Sequence, residues 1–402
     1  MKRVAILYPW NDPSGMDKGS ALRVGLVAKY LKAHYEEVRL LSIDSECSDF
    51  DGVRADCYWP NPRANKKGEL LSLLYRFWLL AVTLGKSKGR TFHLQQYRRF
   101  TNDSRFGKIL REIVQWADVV LVEYTFFAAQ VIRETKRYGK KVIVTDHDVV
   151  ADNPDNARSG NYAKKAVLKK ELKALRGADC AVSVCEEDKD AFLRYGVSTV
   201  CIPHGIEIRQ AASDQDSECR RKELAAEYNL DIPPRPICLF VGSSIGPNVE
   251  AARFIEDIAS AGCRGNPLFL VAGKCMEEKR GPDLIAFGYI EDGALEIIYS
   301  LATIIVIPLK QGTGASLKTI EAMSRGKAVI GTDVAFRGYP VCSGTDCIVE
   351  NDIGKYPESI SRLLVDTESR ERIAEAAAAF ARSYDYRIVY KRYLDLIEGI
   401  AS

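Results

Sequence analysis

Short apolar runs alternate with amphipathic segments along most of this chain. The apolar runs have the length of buried β-strands, whereas the segments after them repeat apolar residues at helical spacing, as Leu22, Leu26 and Tyr30 do in the helix predicted at Ala21–Ala33. Strands that alternate with helices are typical of parallel α/β sheets. The predicted strands are 2–8, 37–43, Val119–Glu123, Val142–Thr145, Ala181–Val184, Thr199–Pro203, Ile237–Val241, Leu268–Ala272, Leu284–Phe287, Ile304–Ile307 and Ala328–Gly331.

The alternation is interrupted at residues 206–236. This stretch is polar and charged and ends in Pro233, Pro234 and Pro236, which is the composition of a linker. An α/β series lies on each side of it, so the pattern predicts two Rossmann-like domains. The helices predicted after it are Val249–Ala261, Gly293–Leu301, Leu317–Ser324, Glu368–Ser383 and Ile388–Ile397.

Composition and charge restrict the class of protein. A chain of 402 residues with 47% hydrophobic and 28% charged residues suits a globular protein of two domains. Its net charge of +3 argues against a nucleic-acid partner. The eleven Cys include no C-x-x-C pair, the first segment is typical of a strand rather than a signal sequence, and no apolar run is long enough to span a bilayer. We therefore expect a cytoplasmic protein.

The segment Pro308–Thr332 carries a glycine-bearing loop between a strand and a helix. Gly312 and Gly314 allow a tight turn and a close approach of the backbone to a ligand. The N–H groups and the dipole at the following helix N-terminus form an anion site suited to a diphosphate. The residues expected to line it are Gly312, Thr313, Gly314, Ala315, Ser316 and Leu317.

Two charged side chains follow on the same helix. Lys318 adds a positive charge beside the anion site, and Glu321 lies three residues later on the same face. A carboxylate there can accept hydrogen bonds from ribose hydroxyls. The alternative is an ordinary exposed Lys–Glu pair, and the spacing alone does not separate the two.

This segment resembles the donor-binding region of retaining GT-B glycosyltransferases of the glycogen-synthase-like kind, also termed family 4 or group 1. Those enzymes carry two Glu eight positions apart, then Ala-Met and a Gly before an apolar strand; here Glu321-Ala322-Met323, Gly326 and the strand Ala328–Gly331 match. The resemblance implies that Glu321 binds the donor ribose. The first Glu falls at Thr313, so the contact to the donor sugar is expected to differ, although Thr can still form a hydrogen bond.

Other donor-side segments are similar to the same family. Phe240–Ala251 resembles the strand and loop that open the donor domain, but Asn248 and uncharged residues replace the Arg and Lys often found there, which leaves Lys318 as the expected cation. The resemblance implies further donor contacts from Gly242, Ser243, Ser244, Gly273, Lys274 and Tyr289.

The resemblance also implies the architecture. It predicts an α/β protein of two Rossmann-like domains that face each other across a cleft, with residues 1–205 binding the acceptor and residues 206–380 binding the nucleotide sugar. Residues 381–402 are expected to form a helix that crosses back to the first domain.

On the acceptor side, Ser14–Arg23 joins the first strand to the first helix and resembles the family's glycine-rich acceptor loop; the alternative is a flexible turn. The expected loop contacts are Gly15, Lys18, Gly19 and Arg23. After the strand Val142–Thr145, the resemblance implies that His147 faces the donor sugar and Asp148 the acceptor. Glu123, at the end of its own strand, is a further candidate for such a contact. For His204-Gly205 a structural role in the interdomain turn is expected.

The chemistry implied by the resemblance is transfer with retention of configuration. Phosphate-binding N–H groups and Lys318 would stabilise the leaving diphosphate, whose oxygen could take the acceptor proton. Asp146 and Asp148 flank His147 and could in principle hold a hard cation. Since so short a pattern arises easily by chance and lies in the acceptor domain, we expect neither a metal nor a cofactor.

Residues 63–100 combine an apolar, aromatic run with flanking Lys and Arg. This composition suits an interfacial helix on anionic lipid, and the alternative is a helix buried in the first domain. A membrane-facing domain would suit a lipid-linked saccharide acceptor. Without a membrane contact, the expected acceptor is a saccharide.

Two other functions remain open at this point. A sugar-nucleotide epimerase can share the fold and would recruit Asp148 or Glu123 as acid or base. A non-catalytic sugar-nucleotide-binding assembly protein is suggested by Thr313. A Rossmann dehydrogenase is disfavoured, because no G-x-G-x-x-G follows the first strand.

Overall fold

The computed structural model describes residues 2–9, 19–43, 53–58, 104–152, 161–208 and 217–401. It divides into two compact units. The first unit comprises Met1–Gly205, Thr313–Ala315 and Tyr386–Ser402, and the second comprises Ile206–Gly312 and Ser316–Asp385. The predicted membrane-facing segment 63–100 lies outside the described residues.

The first unit is built on a parallel sheet. Its described strands are β1 (Arg3–Tyr8), β2 (Glu37–Ile43), β3 (Arg54–Tyr58), β4 (Val119–Glu123), β5 (Lys141–Asp146), β6 (Cys180–Ser183) and β7 (Val200–Cys201). The order across the sheet is β3-β2-β1-β4-β5-β6-β7, with β1 at the switch point of a doubly wound sheet. The central strands are runs of Val, Ile and Leu that are buried on both faces, as a parallel sheet requires.

Helices flank this sheet. They are α1 (Gly19–Lys32), α2 (Ser104–Trp116), α3 (Ala128–Arg137), α4 (Asn161–Gly177) and α5 (Glu186–Arg194), and a 3₁₀ turn covers Val150–Asp152. The aromatic rings of Phe106 and Phe127 join α2 to the start of α3, with centroids 6.0 Å apart. Both side chains belong to the buried core on that side of the sheet.

The second unit repeats the same plan. Its strands are β8 (Ile237–Val241), β9 (Leu268–Ala272), β10 (Lys279–Arg280), β11 (Leu284–Ala286), β12 (Ile304–Ile307), β13 (Ala328–Gly331) and β14 (Ile348–Val349), in the order β10-β11-β9-β8-β12-β13-β14. Among the pairs recorded between these strands, β10 with β11 is antiparallel and the others are parallel. Its helices are α6 (Ser217–Tyr228), α7 (Gly246–Ala261), α8 (Asp292–Leu301), α9 (Leu317–Ser324), α10 (Tyr356–Val365) and α11 (Thr367–Ala381).

Helix α6 corrects the predicted linker. Residues 217–228 form a helix that packs against α8 and buries Leu224. The guanidinium of Arg221 donates to the carbonyl of Pro233 at 2.7 Å and to that of Arg235 at 2.9 Å. The linker interpretation is therefore wrong for this part, because few apolar residues suffice to dock a short helix that also ties down the proline-rich stretch.

The C-terminal segment returns to the first unit. It forms α12 (Tyr386–Val389) and α13 (Lys391–Ala401). Arg392 donates to the carbonyl of Cys201 at 2.7 Å, and Tyr390 accepts a hydrogen bond from the amide of Gly205 at 3.0 Å. A Cβ at Gly205 would lie 2.7 Å from the Cα of Tyr386, so glycine at 205 is needed for this close approach.

No helix in the described part of the chain combines the length and the apolar character needed to cross a bilayer.

Candidate functional site

Three loops meet at the carboxyl edge of the second sheet, after β8, β9 and β11. Their backbones bond to one another: the amide of Gly273 donates to the carbonyl of Gly288 at 2.7 Å, and the amide of Cys275 donates to that of Gly242 at 3.2 Å. Gly273 has a φ of 99°, and a Cβ there would overlap the Gly242 carbonyl. The predicted donor residues Gly242 and Gly273 therefore lie in direct backbone contact.

Lys318 reaches these loops from α9. Its Nζ donates to Oδ1 of Asn248 at 2.5 Å, and Nδ2 of Asn248 donates to Oγ of Ser243 at 3.0 Å. The ammonium also lies 5.0 Å from the centroid of the Phe240 ring. The ordinary exposed pair with Glu321 is not what forms, since Lys318 is half-buried and bonds Asn248 instead.

Burial sets the protonation of Lys318. It lowers the pKa of the ammonium to about 8, because the charged form loses hydration, and the nearby Cys275 and Glu321 offset only part of this. The lysine is therefore still charged at neutral pH. Within the described part of the chain its hydrogen-bond partner is the neutral amide of Asn248, which leaves donor capacity on the ammonium for an anion.

Helix α9 turns its N-terminus to the same edge. It begins after Ser316, and no side chain caps it. N–H groups at an uncapped helix start, together with the helix dipole, favour an anion. Gly312 is exposed, and Ser316 and Glu321 are half-buried. Leu317, the first residue of α9, is buried. The loop after β12 and α9 thus carry these predicted residues as one continuous segment.

The remaining predicted donor residues of the second unit are on its surface. Ser243 and Ser244 are exposed at the end of β8. The ammonium of Lys274 lies 4.8 Å from the centroid of the Tyr289 ring, and Tyr289 is 50% exposed. A flat exposed aromatic ring beside a cation is suited to stack on a planar ligand such as a nucleobase.

Residues 313–315 group with the first unit. Oγ1 of Thr313 donates to Oδ2 of Asp148 at 2.6 Å. Gly314 has a φ of 69°, and a Cβ there would overlap the carbonyl of His147. Thr313, Gly314 and Ala315 therefore belong with His147 and Asp148, and the Thr in place of the usual Glu is hydrogen-bonded to the carboxylate predicted to meet the acceptor.

His147 is held at the end of β5 from two sides. Its Nε2 lies 2.6 Å from Oε2 of Glu123, and its ring stacks on Tyr124 with centroids 4.1 Å apart and planes 10° apart. Nδ1 has no hydrogen-bond partner among the described residues. Burial lowers the pKa of His147, and the carboxylate of Glu123 offsets only part of this.

Tyr124 is an unusual residue at this position. It has a φ of 68°, in the left-handed region that non-glycine residues rarely adopt. Its amide donates to the carbonyl of Thr145 at 2.8 Å, which continues the pairing of β4 and β5. The strained backbone is therefore held by the sheet, and it places the ring under His147.

Arg23 corrects the predicted acceptor loop. It is fully buried in α1, donates to the carbonyl of Pro203 at 2.7 Å and to the hydroxyl of Tyr393 at 2.9 Å, and lies 3.9 Å from the carboxylate of Glu123. A fully buried guanidinium that is already bonded to Pro203 and Tyr393 is part of the core, so this part of the prediction is wrong. Of the other predicted loop residues, Gly19 is exposed at the start of α1, and Gly15 and Lys18 lie outside the described residues.

Asp146 also has a structural position. It is fully buried, and burial together with the neighbouring carboxyl of Glu171 raises its pKa well above the usual range. A carboxyl whose charged form is disfavoured by burial is a poor ligand for a hard cation. No group of three or more His, Cys, Asp or Glu side chains able to hold a metal ion occurs among the described residues.

Three functional candidates were not found from the sequence. Asn248 was noted only as a missing charge, although it carries the bond to Lys318. Tyr124 and Tyr393 follow no motif. The helix that carries Tyr393 was expected to cross back to the first domain, but its bond to Arg23 has no local signal, because Arg23 lies 370 residues earlier.

Two family models match this chain. Residues 19–210 match the model described as Glycosyltransferase Family 4, and residues 235–366 match the model described as Glycosyl transferases group 1. Among curated proteins, an alpha-D-kanosaminyltransferase of Streptomyces kanamyceticus is 30% identical over 179 residues, which cover 41% of this chain and 45% of that protein. The match to that relative thus spans less than half of its length.

Solved structures match the fold over nearly the whole chain. HepE of Anabaena in complex with UDP and glucose is 11% identical, covers 99% of this chain and 100% of its own, and has a TM-score of 0.72. Sucrose-phosphate synthase of Thermosynechococcus elongatus is 16% identical, with 100% and 99% covered and a TM-score of 0.71. At these identities the similarity shows the fold alone, and it confirms the predicted α/β class with two Rossmann-like domains.

Proposed function

Because this chain belongs to the group 1 glycosyltransferases of the GT-B fold, we propose that it transfers a sugar from a nucleotide-sugar donor to a saccharide or lipid-linked saccharide. The observation that carries the proposal is the cluster at the carboxyl edge of the second sheet. There, the contacting backbones of Gly242 and Gly273, the ammonium of Lys318 and the uncapped start of α9 gather at one edge.

Each group of this cluster has a role in the proposal. The helix N–H groups and Lys318 bind the diphosphate and stabilise the charge that develops as the glycosidic bond breaks. Glu321, half-buried one turn further along α9, accepts hydrogen bonds from the ribose hydroxyls. The exposed ring of Tyr289, with Lys274, packs on the base.

The chemistry proposed for the transfer retains the anomeric configuration and needs no metal ion. The anionic leaving phosphate takes the proton of the acceptor hydroxyl, so a separate base is not required. His147 contacts a sugar hydroxyl, and Asp148, bonded to Thr313, lies on the acceptor side. The argument against a metal is that burial and the neighbouring carboxyl of Glu171 raise the pKa of Asp146 well above its usual range, which disfavours the charged carboxylate that a hard cation binds.

Donor binding tests the proposal first. Thermal unfolding is measured with a panel of nucleoside diphosphates and nucleotide sugars that begins with UDP and UDP-glucose, the ligands that structures of HepE contain. We expect stabilisation by one base class, about 2.7 kcal/mol at a hundredfold excess over Kd. Glu321→Ala is expected to lose it, and Glu375→Ala, which changes an exposed Glu of α11, to keep it.

Turnover is the second part of the test. Release of the nucleoside diphosphate from the stabilising donor, with mixed saccharide acceptors and with EDTA present, is expected for the wild type. Binding without release in any acceptor mixture would favour the non-catalytic assembly protein. Binding followed by a change of the sugar without release would favour the epimerase.

The acceptor class is proposed from the sequence. A lipid-linked acceptor suits the basic, apolar segment 63–100. Flotation with vesicles that contain anionic lipid is expected to carry the protein to the lipid fraction. Protein left entirely in the aqueous fraction would contradict membrane binding and leave the free saccharide as the acceptor.

A further inference from the structure

A buried chain of charged groups ends at His147 in the first unit. We propose that Glu123 is a positioning residue that fixes His147 in the Nε2–H tautomer, so that Nδ1, which is buried and has no hydrogen-bond partner among the described residues, accepts a hydrogen bond from a substrate hydroxyl. The substrate class that this arrangement recognises is a hydroxyl donor, such as a sugar hydroxyl. The inference rests on the proposed function only in assigning the substrate.

The tautomer follows from the partner of Nε2. Oε2 of Glu123 lies 2.6 Å from Nε2, and an ionised carboxylate accepts hydrogen bonds only. The proton of a neutral imidazole must therefore lie on Nε2, which leaves the lone pair on Nδ1. The stacked ring of Tyr124 fixes the plane of the imidazole, so the direction of that lone pair is fixed as well.

Arg23 places a positive charge beside Glu123. Its guanidinium lies 3.9 Å from Oε2 of Glu123, and both side chains are fully buried. Arginine is always protonated in proteins, and a buried carboxylate is stable beside such a charge. The carbonyl of Pro203 and the hydroxyl of Tyr393 hold the guanidinium in place.

Burial and the charge of Arg23 favour the neutral imidazole. Burial lowers the pKa of His147, and Arg23 adds to this, while Glu123 and Asp148 act in the opposite direction. His204, with its ring centroid 6.0 Å from that of His147, also has its pKa lowered by burial and by Arg23. A neutral His147 with an unprotonated Nδ1 accepts a hydrogen bond and donates none from that atom.

Glu123 is therefore assigned a role different from the one that its place at a strand end suggested. It is fully buried, so it does not touch a substrate. It acts through His147, much as a buried carboxylate orients the imidazole in other catalytic sites. Removal of the charge of Glu123 is expected to change the tautomer of His147 and to leave the binding of the nucleotide nearly unchanged.

The direct test is the ¹⁵N spectrum of the imidazole groups in unliganded protein labelled at histidine. The chain has four His, so the signals can be assigned with His147→Gln. We expect His147 as one neutral tautomer with the proton on Nε2 at pH 8 and at pH 7. A proton on Nδ1, or an imidazolium at pH 7, overturns the proposal whether or not the protein is a transferase.

Matched variants test the role of Glu123. Glu123→Leu is expected to give a mixture of tautomers, whereas Glu123→Gln, whose carbonyl still accepts, is expected to restore the Nε2–H form. With the donor that the binding panel identifies, kcat for Glu123→Leu is expected to fall about ten- to hundredfold with little change in the donor KM. Glu112→Gln, at an exposed position of α2, is the control and is expected to match the wild type.

The outcomes separate this inference from the proposed function. An unchanged tautomer in Glu123→Leu overturns the positioning role even if transfer is observed. The expected tautomers in a protein that binds no donor support the positioning of His147 and contradict only the substrate assigned to it. If Glu123→Leu does not fold, the wild-type spectrum and Glu123→Gln still decide the tautomer.

Discussion

The side chain of Lys318 is arranged for an anion before any ligand binds. Its ammonium is half-buried, yet its recorded hydrogen bond is to the neutral amide of Asn248 rather than to a carboxylate. A phosphate oxygen near it would therefore meet a cation whose charge is not neutralised by an ion pair with any described residue. Holding this charge partly away from water costs free energy, and the lowered pKa of Lys318 reflects that cost.

Donor affinity is expected to fall as the pH rises through the pKa of Lys318. This pKa is about 8, and bound diphosphate favours the charged form, so binding is strongest below pH 8 and weakens above it. From pH 7 to pH 9 the Kd for the nucleotide sugar should rise about tenfold at most, as the charged fraction falls. Calorimetric titration at both values measures this.

Lys318→Met is the control for that measurement. It should bind the donor more weakly at pH 7 and show a nearly constant Kd from pH 7 to pH 9. A variant that keeps the pH dependence of the wild type would show that another group titrates.

For single residues, the sequence predicted a candidate functional side chain only where a local pattern pointed to it. Lys318 and Glu321 lie in a loop-and-helix segment whose glycines and spacing can be read directly. Arg23 was misassigned because it is near Gly19 in sequence, whereas its burial depends on Pro203 and Tyr393, far along the chain. Such contacts leave no local signal.

Among the elements, α13 contributes most to the site from a distance. The hydroxyl of Tyr393 accepts from Arg23 at 2.9 Å and lies 2.9 Å from Oγ1 of Thr145 on β5. The helix thus connects to α1 and to the strand that precedes His147. Helix α13 therefore contributes hydrogen bonds inside the core as well as buried apolar side chains.

Tyr393→Phe is expected to destabilise the protein by about 1–3 kcal/mol, because it leaves buried Arg23 without one of its acceptors. Tyr356→Phe is the matched control: Tyr356 is fully buried in α10, and its hydroxyl has no partner among the described residues. That change should be neutral or slightly stabilising. Urea unfolding of both variants measures the difference, and equal effects would contradict the role given to the Tyr393 hydroxyl.

Most strands were predictable because their apolar runs are short and bounded by polar residues. Ile237–Val241, Leu268–Ala272 and Ile304–Ile307 have the predicted bounds. The polar helix α6 was missed because its buried contact, Leu224, is a single residue, which gives no periodic pattern. The short strands β10 and β14 were missed because two residues carry no periodicity.

For the molecule as a whole, stability at high pH depends on buried carboxyls. Asp146 and Glu171 are both fully buried, and Oε1 of Glu171 accepts from the amide of Val150 at 2.6 Å. Burial raises the pKa of Glu171 to about 8. Burial and Glu171 raise that of Asp146, and Asp148 and Asp188 add to it. The folded state therefore binds more protons than the unfolded state above about pH 4.5.

The free energy of unfolding is expected to decrease as the pH rises from about 5 through 8, because these carboxyls must ionise inside the core. Each pKa unit by which the folded value exceeds the unfolded one corresponds to about 1.4 kcal/mol. In Glu171→Gln, which still accepts from Val150, the decrease should be smaller, so this variant should exceed the wild type in stability at pH 9. Urea unfolding at pH 6 and pH 9 measures this.

Glu112→Gln, which removes an exposed carboxylate from the same unit, should keep the wild-type pH dependence. If Glu171→Gln shows the same decrease as this control, other groups cause it.

The α/β class with two Rossmann-like sheets could be predicted, since the alternation of strands and helices is a property of the linear pattern. The order of strands across each sheet could not be read from that pattern. Nor could the grouping of Thr313–Ala315 with the first unit, because three residues of a loop have no pattern that distinguishes them from their neighbours.

The return of the C-terminal segment to the first unit has a consequence for synthesis on the ribosome. β1 and α1 emerge before the second unit, but the hydroxyl that Arg23 needs is made 370 residues after Arg23 itself. The second unit, within residues 206–385, is fully synthesised before that point. Domains generally fold as units while the chain is made, so the unit that begins folding first is the one that finishes last.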